Sequence, residues 1–175
     1  AGGKVGVPYG ETTREAVALV DSVHPERRRL HCLASTEEVG GPFPSSWSAA
    51  IDRICAGDPA SANKKRELLF VSAGNLDAPI LPTGYVGRNE QSSCQSPAQA
   101  WNAITVGAMT RYVDLPTDGT AGTEPLAPAG DIAPMSTTSV VWDEENRAWP
   151  IKPDIVMEGG NYAVVPGVGD AARYG

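Results

Sequence analysis

Cysteine, histidine and positive charge are all scarce in this chain, and each scarcity excludes a class of protein. Three cysteines, Cys32, Cys55 and Cys94, do not make a disulfide framework. No C-x-x-C pair occurs, and two histidines at these spacings give no zinc site. Cys32 lies in an apolar run and Cys55 at the end of a helical pattern, so both are expected to be buried. Cys94, in the polar loop "NEQSSCQSP", is the one expected to be exposed. Fourteen Lys and Arg against 21 Asp and Glu leave a net charge of −7, which argues against nucleic acid or an anionic membrane as partner. The basic clusters Arg27–Arg29 and Lys64–Arg66 each precede an expected strand and read as solvated loop residues. No apolar run approaches the roughly 20 residues that cross a bilayer, and no signal peptide opens the chain. The opening "AGGKVGVPYG" reads as a loop without an initiator Met, so an internal piece of a longer protein is expected.

What is present is enough for one folded domain spanning residues 1–175. Nineteen Gly and 15 Pro imply many turns and long loops. Thr12 and Glu15 have capping-box spacing, and Ala16, Leu19, Val20 and Val23 follow at helical spacing, predicting an amphipathic helix that ends near Pro25. "RLHCLAS" reads as a buried strand. Beyond the loop "EEVGGPFP", Ser45 or Ser46 caps a second helix with the apolar stripe Trp47, Ala50, Ile51 and Ile54. "LLFVSA" is a second strand, and Ser96-Pro97 then suits the start of a short helical turn. "NAITVGAMT" is a third strand and "DIVM" a fourth, separated by an irregular stretch over 111–150. Continuous apolar strands joined by helices or long crossovers predict an α/β fold: a three-layer, mostly parallel sheet with helices on both faces. Functional groups of such sheets collect beyond the strand C-termini, which is where "ELLFVSAGNLD" delivers Asn75.

Five stretches in order carry a family resemblance: "GGPFPSSWSAAIDRI" leading to "LLFVSAGN", then "SPAQAWNAITVGAMT", "IAPMSTTS" and "IKPDIVMEGG". Together the chain resembles the subtilisin-like serine peptidases, the subtilases, over most of its length. The resemblance implies a partial subtilisin-like fold and peptide-bond hydrolysis through an acyl-enzyme. It implies that Asn75 is the oxyanion-hole residue and that Ser72, Ala73 and Gly74 form one wall of the substrate pocket. Ala34, Ser35 and Thr36 would line the opposite side, where an extended peptide pairs as an added strand. The implied partner is a peptide or protein substrate.

The triad of that chemistry is missing. Subtilases place Asp in a D-S/T-G strand end, His in an H-G-T helix start and Ser in G-T-S-x-A. After Ser139 this chain has neither Ser nor Thr, so the nucleophile is not inside it. Asp21-Ser22 with His24 lacks the glycine and sits at a helix end. His31 reads as a structural strand histidine, and its neighbour Cys32 points to the opposite face, which excludes a Cys–His dyad. Alone, the chain is therefore expected to be inactive.

Met157-Glu158 departs from the Ala-Pro usual in the family. The acidic residues Asp114, Asp118, Asp131, Asp143, Glu144 and Glu145 bring calcium into question, yet their spacing fits no calcium loop and solvated acids are the favoured reading. No cofactor is expected. Competing readings are a catalytically dead, peptide-binding subtilase relative and an unrelated doubly wound domain with a ligand pocket away from Asn75. Exposed apolar surface would favour self-association of the excised segment, and the sparse cysteines favour a bacterial cytoplasm over secretion.

Overall fold

The structure, a computed structural model, describes residues 8–38, 43–58, 65–76, 84–115, 122–142, 149–164 and 171–174. Four strands form one parallel sheet: β1 (Leu30–Leu33), β2 (Leu68–Ser72), β3 (Ile104–Met109) and β5 (Ile155–Glu158), in the order β1-β2-β3-β5. Alternation along β2 buries Leu69 and Val71 against helix α2 (Ser46–Ala56), whose Trp47, Ile51 and Ile54 form the core with Ala98 and Ala103. This is the α/β architecture expected from the apolar strands. The opposite face, with Leu68, Ile155 and Met157, stays partly open to solvent, and among the described helices only α2 contacts the sheet, on the first face.

Helix α2 starts and stops for local reasons. Ser45 accepts a 3.0 Å hydrogen bond from the Ser48 N–H, and Gly57 ends the helix in the left-handed region at φ 82°. Helix α1 (Tyr9–Val23) differs from expectation. Its N-cap is Pro8 rather than Thr12, which lies one turn inside and donates its hydroxyl to the Pro8 carbonyl. The stripe that meets α2 runs through Gly10, Thr13 and Val17. An added Cβ on Gly10 would stand 2.8 Å from the Ala50 Cβ, Tyr9 stacks on Trp47, and the Trp47 indole donates to Thr13. Close backbone approach at Gly10 selects this face, and Leu19, Val20 and Val23 are left exposed.

Several short elements were not visible in the sequence. Helix α3 (Tyr85–Glu90) lies inside what reads as a continuous loop. Strands β4 (Glu124–Pro125), β6 (Asn161–Val164) and β7 (Ala171–Tyr174) form a separate antiparallel sheet in the order β4-β6-β7. Buried Asn161 ties β6 to the segment just after β4 by accepting from the Ala127 N–H and donating to the Ala127 carbonyl, at 3.0 and 2.8 Å. Ser96-Pro97 begins a turn at a cis peptide bond rather than a helical turn.

Candidate active site

The parallel register determines what meets at the strand ends. Leu33 lies opposite Val71, so the residues after β1, Ala34–Thr36, run on beside Ser72–Gly74. Ala34 and Ser35 are exposed and Thr36 is half-buried; Ala73 and Gly74 are buried and Asn75 is exposed. All seven residues singled out in the sequence therefore fall at one end of the sheet.

The elbow before Asn75 is rigid. Gly74 has φ +108°, a conformation that a side chain disfavours. Next to it, the Ala73 N–H donates to the Val106 carbonyl at 2.9 Å, extending the β2–β3 pairing. The Ala73 carbonyl accepts from the Gln95 N–H at 2.9 Å and from the Thr137 hydroxyl at 2.7 Å. On the far side of Asn75, the Leu76 N–H donates to the Met135 carbonyl at 3.0 Å. Asn75 is thus carried on a backbone anchored before and after it, with its side chain in solvent.

Gln95 was not anticipated from the sequence, and it stands between the two walls. Its Oε1 accepts from the Thr36 hydroxyl at 2.7 Å and from the Asn75 N–H at 3.3 Å, and its Nε2 donates to the Asn75 carbonyl at 2.9 Å. Around it, Glu37 and Ser96 exchange both backbone hydrogen bonds, tying the segment after β1 to this loop. The same loop buries Cys94 completely, a correction to the expected exposure. Burial pushes its thiol up to about 11. Cys55 is buried as expected, and burial likewise raises its thiol to about 11. Cys32, expected inside, is exposed because its face of edge strand β1 meets no described element.

"KPDIVMEGG" has a structural explanation. Lys152, with its side chain wholly buried, donates to the Ala103 carbonyl and pairs with Asp154 at 2.6 Å. Asp154 in turn accepts from the Thr105 N–H at 2.7 Å. Glu158 accepts from the backbone N–H groups of Arg111 and Gly160, at 2.6 and 3.0 Å, so its acidity is used to hold the turns beyond β3 and β5.

The residues set aside as triad members in the sequence are not arranged for that role. Asp21 is buried between Arg29 and Lys65, at 2.7 and 2.8 Å. Burial alone would raise its carboxyl, but the Lys65 hydrogen bond and charge, with Arg29, hold it below the usual carboxylate range. Ser22 donates to the Leu19 carbonyl. His24 is exposed beside Glu26, and His31 pairs with buried Glu67 at 3.3 Å. Of the acidic residues, Asp114 is exposed and Asp131 accepts from the Tyr85 hydroxyl; Asp118, Asp143, Glu144 and Glu145 lie outside the described residues. Among the described residues, no three His, Cys, Asp or Glu are grouped to hold a metal ion.

A cavity of about 400 Å³ lies away from this end, between α1 and the approach to β2, lined in part by Arg14, Asp21, Lys65 and Glu67. Such a pocket is what an unrelated ligand-binding domain would offer, and comparison with known families decides between the two readings. The family model described as "Peptidase_S8: Subtilase family" matches residues 4–174. The chain belongs to the subtilase family. A search of curated proteins finds no match. The chain is thus subtilisin-like peptidase-domain sequence almost from end to end, and the fold around Asn75 is that of a subtilase sheet.

Proposed function

We propose that this chain is the internal segment, residues 1–175, of a subtilisin-like serine endopeptidase domain, and that Asn75 is its oxyanion-hole residue. In acyl transfer the attacked carbonyl oxygen becomes negative, and a fixed donor aimed at it lowers the barrier. The observation that carries this reading is the exposed Asn75 carboxamide on a strand-end elbow anchored through Ala73 and Leu76. Ser72–Gly74 and Ala34–Thr36 line the two sides of a cleft for an extended peptide or protein substrate, which pairs as an added strand.

Asp, His and Ser of the triad come from sequence outside this segment, so the isolated chain has no turnover. Hydrolysis through an acyl-enzyme requires no cofactor. Exposed Leu19, Val23, Leu30 and Met157 favour self-association of the segment in isolation. The test is labelling by a serine-directed fluorophosphonate of a longer protein carrying this segment with its flanking sequence. Labelling that falls strongly with Asn75→Ala supports the reading. A folded longer protein that takes no label is instead a peptide-binding subtilase relative without catalysis.

A further inference from the structure

Gln95 makes with Asn75 the two-way contact that one backbone amide makes with another in a sheet. Its Oε1 receives the Asn75 N–H and its Nε2 donates to the Asn75 carbonyl. A backbone N–H only donates and a carbonyl only accepts, so the two contacts together fix which way the carboxamide faces. The Thr36 hydroxyl adds a third hydrogen bond to Oε1. Gly74 makes this possible: a Cβ there would stand 2.5 to 2.6 Å from three atoms of the Gln95 side chain, so the glutamine occupies the space that a larger residue would fill. Gln95 is itself held by its backbone N–H on the Ala73 carbonyl.

We infer that Gln95 is a positioning residue: it fixes the two peptide planes that flank Asn75, and through them the direction of the Asn75 carboxamide, while tying that residue to the Thr36 wall. The inference rests on the proposed oxyanion role of Asn75. Gln95 need not touch the reacting atoms. Without its clamp the Asn75 backbone keeps its anchors at Ala73 and Leu76 but loses both hydrogen bonds of the intervening peptide groups to Gln95. The carboxamide then samples more directions, and a donor aimed less well weakens transition-state stabilisation more than it weakens substrate binding.

The test uses the longer protein that carries this segment, with kcat and KM measured for a peptide substrate in four forms: unaltered, Asn75→Ala, Gln95→Met and the double variant. Methionine fills the same slot without the hydrogen bonds. Loss of two neutral hydrogen bonds at Asn75 gives an expected fall in kcat of about ten-fold, with KM within about two-fold. In the Asn75→Ala background the same substitution is expected to have no further effect, because the two residues act as one unit. An equal fall in both backgrounds assigns Gln95 a general structural role and overturns the inference. So does an altered KM at unchanged kcat, which would make it a pocket-lining residue. Full activity in Asn75→Ala, or no turnover of the unaltered protein, instead removes the oxyanion reading on which the inference stands. Should Gln95→Met not fold, Thr36→Val tests the same network: a fall in kcat of about three-fold at constant KM supports it, and an unchanged kcat overturns it.

Discussion

The Thr137 hydroxyl donates a 2.7 Å hydrogen bond to the Ala73 carbonyl, 64 residues away in the chain and two residues before Asn75. Both residues are buried, so water does not replace the contact when it is lost. Thr137→Val keeps the shape and removes the donor, while the Gln95 N–H still satisfies the carbonyl. Chemical denaturation should show a loss of about 1 kcal/mol, the net value of one buried hydrogen bond. An unchanged unfolding midpoint would mean that the contact adds nothing to the elbow.

Gly74→Ala strains the same elbow in two ways. A φ of +108° is disfavoured for any residue with a Cβ, and the added atom would stand 2.5 Å from Gln95 Oε1. The backbone term alone costs about 1–2 kcal/mol. Thermal unfolding should shift down accordingly, and in the longer protein fluorophosphonate labelling should slow as Gln95 is displaced.

The three thiols should separate cleanly. Cys32 is exposed, whereas Cys55 and Cys94 are buried with thiols raised to about 11, so almost no thiolate is available at neutral pH. A thiol reagent at pH 7.5 should modify Cys32 alone in the native protein and all three after denaturation. Rapid native modification of Cys94, read by peptide mass, would contradict the placement of its loop.

Asp21 gives a pH dependence with a definite sign. Its folded-state carboxyl lies below the ordinary 3.8 because Lys65 and Arg29 more than offset the cost of burial. A depressed carboxylate contributes stability above its unfolded value and loses it as pH falls through the folded one. Stability should therefore drop below about pH 3.8, and Asp21→Asn should lower stability at pH 7 while flattening that acid limb. Parallel acid curves for the two proteins would show that Asp21 is not responsible.

The parallel strands and α2 were legible in the sequence because continuous apolar runs, and a Ser45 or Ser46 cap before the stripe Trp47, Ala50, Ile51 and Ile54, are local signals. The position of Asn75 followed from the same pattern. Gln95 and Cys94 were not legible. "NEQSSCQSP" is polar enough to read as a surface loop, but its backbone groups are satisfied by Thr138, Ala73 and Glu37, and only the tertiary structure supplies those partners. Helix α1 misled for a related reason: its strongest apolar stripe is not the one that packs. Gly10 permits a close approach to Ala50, and backbone proximity at a glycine outweighs the larger side chains one face away.

The most direct measurement is fluorophosphonate labelling of the longer protein that carries this segment, compared with its Asn75→Ala variant at matched folding. For a subtilisin asparagine, removing the donor lowers kcat by about 10² to 10³, and a loss of that order in the labelling rate is expected here. Equal labelling of the two proteins would contradict the oxyanion role of Asn75 and leave it as a residue that ends a strand.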